Sequence, residues 1–560
     1  MTENPGTDGA VLLELRELSV RYRAARDELP AVRGVNLRLG AGETLGLAGE
    51  SGCGKSTLAM SVLRLLPRSA RVDGQVLLDG EDVAAMRWGR LRAVRWASAS
   101  VVFQGAMHAL NPVRKVYDQI AEPILLHDSD QRPDEPPAVR HRVHELLDQV
   151  ELPAGKAEAF PHELSGGQKQ RVMIAMALAC DPRLVIADEP TTALDVIVQA
   201  QVLELMSRLV AEHHIGLIMI SHDLSVLAST CQHIAVMYDG EIVERAPSEQ
   251  LMRAPQHAHS KALAAAFPTI GDPASRFAPA TSNPLPEQPS ERPVGEPVLR
   301  TEELRVSFRA RGGRTVRAVD GVDLEVGENE IVALVGQSGS GKTTLARTLL
   351  GLQRAESGRV LFRGTPLPTS TSGLRDYRRQ VQLVLQDPTS ALNPRHSVYE
   401  AVAEGPRIHG LTTDEIGRVT RALEAAELRP AERFMSALPH ELSGGQKQRV
   451  VIAGALALEP AVLVADEPVA SLDASVRGEI LALLLRLRIE LGLSALVITH
   501  DLGLAWNIAD RVAVMYRGEL VEVGTVEDVL LDPRHEYTRS LLAAVPGGTH
   551  RAEPANGLRH

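Results

Sequence analysis

Cysteine is scarce in this chain of 560 residues. The three cysteines, Cys53, Cys180 and Cys231, form no CxxC pair and no spacing typical of a zinc site or an iron–sulfur cluster. This suits a reducing cytosol and argues against a disulfide framework, so any bound metal ion is expected to have oxygen ligands. Positive charge is not in surplus either: 60 basic against 71 acidic residues give a net charge of −11, which argues against nucleic acid as a partner.

Long hydrophobic runs are also missing. Nowhere do about 18 apolar residues follow one another without a charge, and the opening MTENPGTDGAVLLELREL has an acidic start without an apolar stretch. We therefore expect neither export nor a membrane-spanning helix. The 44% hydrophobic content is sufficient for globular cores, and a chain of this length is expected to form roughly two to four domains.

The chain contains a long internal repeat. PHELSGGQKQRV at 161–172 recurs unchanged at 439–450, and a shift of 278 positions aligns 161–268 with 439–546 without a gap. Upstream, a shift of 287 positions aligns the segment around Lys55 with the segment around Lys342. A long period used only twice indicates a duplicated domain rather than a solenoid.

A proline-rich segment, 268–297, separates the two copies. It holds eight prolines in thirty residues and almost no large apolar side chains, so we interpret it as an unstructured spacer rather than an independent binding motif. As a coil it would span on the order of 30 Å. The predicted domains are 10–268 and 298–548, each with a C-terminal tail, joined by a linker at 269–297 and followed by a flexible terminus at 549–560.

Each copy alternates short apolar runs, such as ETLGLAG and RLVIAD, with longer amphipathic segments, such as QKQRVMIAMALA. The runs have strand length and lie beside Gly or Asp, as buried parallel strands do. This predicts an α/β fold for each copy.

Two glycine-rich loops, GESGCGKS at 49–56 and GQSGSGKT at 336–343, follow such runs and fit the phosphate-loop pattern GxxxxGK[ST]. Glycines let consecutive N–H groups face one anion, the two lysines would reach the β- and γ-phosphates, and Ser56 and Thr343 would bind Mg²⁺. Arg supplies 53 of the 60 basic residues, yet both loops use Lys, because a compact ammonium fits there. The alternative is a glycine-rich turn without a ligand. The predicted nucleotide-binding residues are Gly49, Ser51, Gly52, Cys53, Gly54, Lys55, Ser56 and Thr57, then Gly336, Ser338, Gly339, Ser340, Gly341, Lys342, Thr343 and Thr344.

Two adjacent carboxylates end each of the apolar runs LVIADEP and LVADEP. Such charges are costly at the end of a buried strand unless a cation or water is present. We assign Asp188 and Asp466 to Mg²⁺, and Glu189 and Glu467 to orienting and polarising the attacking water. The alternative is a carboxylate that caps a helix.

His222 and His500 each follow their glutamate by 33 positions. The equal spacing favours sensors of the γ-phosphate over packing residues. Gln104 and Gln386 end apolar runs, and their neutral amides could join Mg²⁺, the water and a moving element.

Tyr22 and Phe308 occupy matching positions in LSVRY and LRVSF, near the start of each copy. Either aromatic ring could stack on an adenine. An aromatic residue in an N-terminal strand is as often part of the core, so both interpretations stay open.

Together with PHELSGGQKQR, these motifs make the chain resemble the ATP-binding-cassette (ABC) ATPases, whose signature is LSGGQ. The resemblance covers both copies, nearly the whole chain outside the linker and the termini. It implies two P-loop NTPase nucleotide-binding domains, each with a RecA-like core, an antiparallel β subdomain and a helical subdomain. It also implies that the two cassettes pair head to tail, so that the signature of one closes on the ATP held by the other.

Each signature serine begins an amphipathic helix, where the hydroxyl, the glycine N–H groups and the helix dipole form an anion site. An ordinary capped helix is the alternative, but it explains neither the Gly-Gly pair nor the verbatim repeat. The predicted signature residues are Ser165, Gly166, Gly167 and Gln168, then Ser443, Gly444, Gly445 and Gln446.

QGAMHALNPV, QDPTSALNPR and the tail PRHEYTRSLLAAVP resemble the ATPase subunits of peptide and nickel importers. The first tail has His259 and Ser260 where the second has Tyr537 and Thr538, so whether both tails make the same contact stays open. Cysteines that some members carry after the first tail are missing, so no iron–sulfur cluster is expected.

The resemblance implies an ATP-hydrolysing, energy-coupling subunit of an importer, with peptides first and nickel or glutathione as alternatives. Its partners would be two separate transmembrane permeases and, indirectly, an extracellular solute-binding protein, and it would lie at the cytoplasmic membrane face only through the permeases. Other classes of ABC ATPase fit the sequence less well. A tandem cassette acting on ribosomes is expected to have a long charged helical linker, whereas the linker here is short and proline-rich. A DNA-repair ATPase would need a coiled-coil or zinc insertion and an exporter usually carries its own membrane spans, and the sequence shows none of these patterns.

Overall fold

The structure is a computed structural model, and it describes residues 11–23, 28–103, 105, 109–127, 137–192, 194–281, 285, 295–309, 315–470 and 472–546. The chain divides into two compact units, Met1–Ala264 and Ala265–His560. None of the helices in the described ranges has the length and apolar character needed to cross a membrane.

The described part of the first unit contains two sheets. One is antiparallel, with strand order β2-β1-β4-β5, and the other has the order β10-β9-β3-β8-β7-β6 and is parallel except for β10. The strands are β1 (Val11–Arg23), β2 (Glu28–Gly40), β3 (Thr44–Ala48), β4 (Ala70–Leu78), β5 (Glu81–Asp82), β6 (Ala99–Val102), β7 (Leu184–Asp188), β8 (Gly216–Ile220), β9 (His233–Tyr238) and β10 (Glu241–Pro247).

Some helices of the first unit cover the parallel sheet, and others form an insertion in it. The insertion lies between β6 and β7, where α3, α4 and α5 pack on one another. The helices are α1 (Lys55–Val62), α2 (Trp88–Val94), α3 (Val116–His127), α4 (Pro137–Gln149), α5 (Gly166–Leu178), α6 (Val196–Glu212), α7 (Leu224–Thr230), α8 (Ser248–Arg253) and α9 (Ala258–Ala265).

The second unit repeats this arrangement. Its antiparallel sheet has the order β12-β11-β15-β16, with β13 also paired to β11, and its second sheet has the order β17-β18-β19-β14-β20-β21, antiparallel only at β21. The strands are β11 (Pro297–Arg309), β12 (Thr315–Val322), β13 (Glu325–Gly327), β14 (Ile331–Val335), β15 (Ser357–Phe362), β16 (Thr365–Pro366), β17 (Val381–Val384), β18 (Val462–Asp466), β19 (Ser494–Thr499), β20 (Arg511–Tyr516) and β21 (Glu519–Thr525).

The helices of the second unit follow the same plan, again with an insertion before the strand that ends in the paired carboxylates. They are α10 (Lys342–Leu349), α11 (Thr371–Gln380), α12 (Pro388–Ala391), α13 (Val398–Ile408), α14 (Glu415–Ala425), α15 (Glu432–Met435), α16 (Gly444–Leu456), α17 (Ala474–Leu491), α18 (Leu502–Ile508), α19 (Val526–Leu531) and α20 (Glu536–Ala543). The predicted α/β class, with an antiparallel and a helical part in each copy, is confirmed.

The apolar core explains why each central strand is hydrophobic throughout. Strands β3, β7 and β8 are buried along their whole length or nearly so, because the antiparallel sheet and α1 cover one face and helices cover the other. The second unit has the equivalent core around β14, β18 and β19.

The first part of the linker packs on the second unit. In this strap, defined as residues 267–281, Ser275 accepts a hydrogen bond on Oγ from Trp506 Nε1 at 3.0 Å, and the Phe277 N–H donates to the carbonyl of Asn507 at 2.8 Å. Arg276 donates to the carbonyl of Trp506 and to Glu527, both at 2.9 Å. The prediction of an unstructured spacer is therefore wrong for 268–281. Tertiary partners supply the apolar contacts that the segment lacks by itself.

Candidate functional site

The strand order brings the predicted site residues of each unit together. In the first unit β3 lies between β8 and β9, and β7 lies beside β8. Because these strands are parallel, their carboxyl ends meet at one edge of the sheet, which is where ligands bind in open α/β sheets. The phosphate loop follows β3, Glu189 follows β7 and His222 follows β8. The second unit has the same order around β14, β18 and β19.

Backbone geometry explains the glycines of the phosphate loops. Gly54 has φ +106°, and a Cβ there would lie 2.1 Å from the Ala31 carbonyl oxygen; Gly341 has φ +112° and meets the Ala318 carbonyl at 2.0 Å. Side chains are therefore excluded at both positions. A Cβ at Gly52, where φ is +79°, would have no heavy atom of the described residues within 4 Å, which leaves the space that an anion requires.

The two loop lysines are buried and point back along their own loops. Lys55 Nζ donates to the carbonyls of Gly49 at 2.8 Å and Glu50 at 2.6 Å. Lys342 Nζ donates to the equivalent carbonyls at 2.7 Å each. These contacts place an ammonium group at the mouth of each loop, where it can pair with phosphate.

Of the predicted magnesium ligands, the hydroxyl and the aspartate lie next to each other in both units, whereas Gln386 contacts Glu467 and Gln104 lies outside the described residues. Thr343 Oγ1 donates to Asp466 Oδ2 at 3.2 Å. Asp188 is 3% exposed, and its Oδ1 has no hydrogen-bond partner among the described residues. Burial raises the pKa of both aspartates, although the hydroxyls of Ser56 and Thr343 oppose this shift. An orphaned carboxylate oxygen beside a hydroxyl fits a hard cation that prefers oxygen ligands.

In the second unit two predicted residues, His500 and Gln386, contact the carboxylate of a third, Glu467. Glu467 lies 3.0 Å from His500 Nδ1 and accepts a hydrogen bond from Gln386 Nε2 at 2.8 Å. Burial alone would raise the pKa of Glu467, but the bond to His500 and the charges of His500 and Lys342 hold it below its usual value. Burial lowers the pKa of His500, and the Glu467 carboxylate outweighs this and raises it.

The first unit places Glu189 similarly, and a threonine also contacts it. Glu189 lies 3.4 Å from His222 Nδ1 and accepts a hydrogen bond from Thr192 Oγ1 at 3.0 Å. The predicted partner Gln104 lies outside the described residues. Both glutamates have positive φ, 46° for Glu189 and 48° for Glu467. Such strain in a non-glycine residue is common at functional sites.

The signature segments begin helices as predicted. Ser165 caps α5 and accepts a hydrogen bond from the Gln168 N–H, while the Gln168 side chain accepts one from the Ser165 N–H. Ser443 and Gln446 form the same capping box on α16. Both serines are exposed, so the free N–H groups of each helix face solvent.

The remaining predicted residues lie around the loops. Tyr22 Oη lies 3.2 Å from Thr57 Oγ1, so this ring is beside the first loop. Phe308 is 42% exposed near the end of β11. Adenine stacking on either ring stays a prediction. Cys53 Sγ lies 3.6 Å from Lys55 Nζ, and the other loop positions, namely Ser51, Thr57, Ser338, Gly339, Ser340 and Thr344, occupy the turn or the first helical residues.

The sequence interpretation did not anticipate one contact to the second loop. The Gln337 N–H donates to Tyr537 Oη at 2.9 Å, so the C-terminal tail touches the phosphate loop. The aligned tails pointed to this position, because His259 and Tyr537 differ there, but no motif indicates what such a residue contacts.

A phosphate loop, a buried aspartate beside a hydroxyl, and a glutamate paired with a histidine define a P-loop ATPase, and this chain contains that set twice. The ABC transporter family model matches residues 32–192 and 319–470. The model of the oligopeptide/dipeptide transporter C-terminal region matches 243–295 and 521–558. The chain belongs to the ABC transporter family, which confirms the resemblance stated above.

Relatives of known name match along nearly the whole chain. The glutathione import ATP-binding protein GsiA of Escherichia coli (strain K12) is 41% identical over 579 residues, covering 98% of this chain and 91% of GsiA. GsiA of Salmonella choleraesuis is 42% identical over 574 residues with the same coverage.

Single cassettes match among solved structures. One is cbiO1 from Clostridium perfringens, part of the ABC transporter complex cbiONQ, at 35% identity and a TM-score of 0.39 over 42% of this chain and 91% of cbiO1. Another is the dimeric bacterial cassette MJ0796, at 28% identity and a TM-score of 0.38 over 42% of this chain and 98% of MJ0796.

The chain is therefore an ATP-binding, ATP-hydrolysing protein that couples hydrolysis to transport, the energy-coupling subunit of an ABC importer. The predictions of an ATPase and of this role are confirmed. Such a subunit works with membrane permeases.

Proposed function

We propose that this protein powers the import of peptides. The observation that carries the proposal is the paired match to the oligopeptide/dipeptide transporter C-terminal region, once after each cassette. Glutathione, itself a tripeptide, is the second candidate, because the GsiA relatives carry that name. Nickel stays the third alternative, and it rests on the resemblance of the sequence alone.

The two cassettes are proposed to close head to tail on two ATP molecules. Ser443 would face the ATP held by Lys55, and Ser165 the ATP held by Lys342. The exposed, capped N-termini of α5 and α16 support this arrangement, because their free N–H groups and helix dipoles suit a phosphate. Each ATP then needs one signature from the opposite half, which gives a reason for the verbatim repeat.

Equivalent residues are proposed to have the same roles in each composite site. Lys55 and Lys342 bind the phosphates, and their glutamates, Glu189 and Glu467, orient and polarise the attacking water. His222 and His500 hold those carboxylates in place. Each site would bind its own Mg²⁺ ion, through Ser56 and Asp188 in the first unit and through Thr343 and Asp466 in the second. The ion would neutralise charge on the phosphates.

The proposed assembly extends beyond this chain. Its partners would be two transmembrane permeases and, indirectly, an extracellular solute-binding protein. The chain would lie peripherally at the cytoplasmic face of the membrane, held by the permeases. The proposed cassettes with their tails span 10–268 and 298–548, with the linker at 269–297 and a terminus at 549–560.

Transport in a reconstituted system tests the substrate. The chain, the permeases and the binding protein encoded by neighbouring genes would be assembled in vesicles, and ATP-dependent uptake of a dipeptide, an oligopeptide, glutathione and Ni²⁺ would be compared. We expect peptide uptake that requires ATP. Uptake of Ni²⁺ alone would refute the peptide proposal, and uptake of glutathione alone would select the second candidate.

A change in one signature segment tests the head-to-tail arrangement, because it should affect the nucleotide held by the other cassette. Gly444 is exposed, and among the described residues a Cβ there would meet only Leu472, at 3.5 Å, whereas a Cβ on Gly445 would lie 2.4 Å from Val476 Cγ1. Gly444→Asp therefore adds a carboxylate at the helix N-terminus without disturbing its own unit, and Gly166→Asp is the matched change. Gly444→Asp should abolish vanadate trapping of nucleotide at the Lys55 site. Loss confined to the Lys342 site would refute head-to-tail closure.

A further inference from the structure

The tail of the second unit reaches its own phosphate loop through one side chain. Tyr537, on the first turn of α20, is 5% exposed. Its hydroxyl oxygen accepts the 2.9 Å hydrogen bond from the Gln337 N–H. The carbonyl of the same residue, Gln337, accepts the hydrogen bond from Lys342 Nζ at 2.7 Å. One residue of the loop is therefore held by the tail on its N–H and by the phosphate-binding lysine on its carbonyl.

Surrounding contacts fix the position of the Tyr537 ring. It stacks on Tyr516, at the end of β20, with ring centroids 4.1 Å apart and planes 26° apart. Glu522 accepts the N–H groups of Arg534 and His535, at 2.8 and 3.1 Å, and so anchors the turn that leads into α20. A buried, stacked and anchored ring loses little further freedom when its hydroxyl holds the loop.

The first unit has the same frame with a different side chain at its centre. Glu244 accepts the N–H groups of Gln256 and His257, both at 2.9 Å. His259 replaces the tyrosine and packs on Tyr238, with centroids 4.4 Å apart. Its Nε2 is buried and has no hydrogen-bond partner among the residues that the structure describes.

The imidazole of His259 does not make the contact that the phenol of Tyr537 makes, since its Nε2 has no hydrogen-bond partner among the described residues. Burial lowers the pKa of His259, and the charge of Glu50 opposes this shift while those of His257 and Lys55 add to it. Glu50, the residue equivalent to Gln337, is held at its carbonyl by Lys55 Nζ. In the described residues of this unit, the tail therefore supplies no hydrogen bond to the loop like that of Tyr537.

We propose that Tyr537 is a positioning residue for ATP: it orients the second phosphate loop and makes the Lys342 site the tighter of the two nucleotide sites, while His259 leaves the Lys55 site weaker. This inference rests on the phosphate-loop assignment of the proposed function. The hydrogen bond acts on the loop before nucleotide arrives, so its loss should weaken ATP binding more than it slows the chemical step.

Site-resolved labelling tests the proposal in the full chain assembled with its permeases. A photoreactive 8-azido analogue of ATP would be titrated, and labelled peptides from each half would be quantified by mass spectrometry. Tyr537→Phe keeps the stacked ring and removes the hydroxyl. The concentration for half-maximal labelling at the Lys342 site should rise about fivefold, as expected for one lost hydrogen bond, while labelling at the Lys55 site stays unchanged.

Steady-state kinetics and the reciprocal change separate positioning from simple folding damage. Tyr537→Phe should raise KM for ATP and leave kcat nearly unchanged. His259→Tyr should lower the half-maximal concentration at the Lys55 site. An unchanged titration of the Lys342 site in Tyr537→Phe, or an equal weakening of both sites, would overturn the proposal.

Lys342→Ala distinguishes the two possible failures. It should abolish labelling of the second half, because the ammonium group pairs with the phosphates. If it leaves that labelling intact, the phosphate-loop assignment itself is wrong. If it abolishes labelling while Tyr537→Phe changes nothing, only the positioning role of Tyr537 is refuted.

Discussion

The two cassettes carry the same candidate ATP-binding groups, but residues behind those groups differ in sequence. Each has a loop lysine, an aspartate beside a hydroxyl, a glutamate with a histidine, and a capped signature serine. Behind these groups, Thr192 donates a hydrogen bond to Glu189 in the first unit, and Gln386 donates one to Glu467 in the second. The position equivalent to Thr192 in the second unit is Ala470.

The strap extends this difference beyond the site. In the second unit the strap contacts Gly478, Arg488, Trp506 and Asn507. The aligned residues of the first unit are different, namely Ala200, Val210, Ala228 and Ser229. Arg488 is 2% exposed and lies between Asp510, at 2.7 Å, and the ring of Phe277. The comparison teaches that duplication kept the candidate site residues, while surrounding residues such as Thr192 and Ala470, or His259 and Tyr537, diverged.

The largest expected effect tests whether the two sites are chemically equivalent. Glu189→Gln and Glu467→Gln should each lower ATP turnover of the assembled transporter about 100-fold, because each removes the carboxylate that polarises water at one site, and the ATP trapped there should block turnover at the other site too. Phosphate release measures turnover, and Glu519→Gln, at an exposed position on β21, is the control. A wild-type rate in either variant would mean that its site is not catalytic.

The strap gives the next largest effect, and it is expected in one cassette alone. A Cβ at Gly478 would lie 2.0 Å from the Ala280 carbonyl oxygen, so Gly478→Val should displace the strap and destabilise the second unit by about 1–3 kcal/mol. Calorimetry would measure the stability, and trypsin would probe Arg276, whose side chain is 13% exposed.

Ala200→Val is the matched change in the first unit. It places the same side chain on α6, at the aligned position, and should leave both readouts near those of the wild type. Faster cleavage at Arg276 in Gly478→Val alone would support the strap. Equal protection in both variants would show that the strap does not depend on this contact.

A smaller effect concerns pH. Folding raises the pKa of His500 above its usual value near 6.5 and lowers that of Glu467 below its usual value near 4.5. The stability that His500 contributes is fully present below about pH 6.5 and is lost as the pH rises through its folded pKa. The stability that Glu467 contributes is fully present above about pH 4.5 and is lost as the pH falls through its folded pKa.

His500→Gln should therefore reduce the fall in unfolding free energy of the second unit between about pH 6 and pH 9. Denaturant titrations at several pH values would measure it, with His222→Gln as the matched variant. The pair in the first unit is longer, 3.4 Å against 3.0 Å. An unchanged pH profile in His500→Gln would contradict the proposed ion pair.

The smallest effect distinguishes the loops by their chemistry. The first loop has Cys53 where the second has Ser340. Burial raises the pKa of the Cys53 thiol, although the nearby Lys55 ammonium opposes this. Maleimide should therefore label Cys53 slowly at neutral pH, faster as pH rises, and still more slowly with ATP present. Peptide mapping would measure the rate of Cys53 labelling. Rapid labelling at the same rate with and without ATP would contradict the burial of Cys53 in a nucleotide-binding loop.

Local patterns were sufficient to predict which segments meet at the candidate site. The loops, the paired carboxylates and the signatures are short segments whose contacts lie within a few residues, such as Lys55 with Gly49 or Ser165 with Gln168. Strand order then brings those segments together. The role of Tyr22 could not be predicted in the same way, because an aromatic residue in a strand fits a core or a ligand equally well.

The sequence by itself determined the duplication, the α/β class and the reacting groups, because each depends on patterns that are repeated or local. The tertiary structure alone decided that the strap packs on the second unit and that Tyr537 holds the Gln337 N–H across 200 positions of chain. The physical reason is distance along the chain. A proline-rich segment has too few apolar side chains to fold by itself, and its order comes from partners such as Trp506 and Arg488, which only folding brings close.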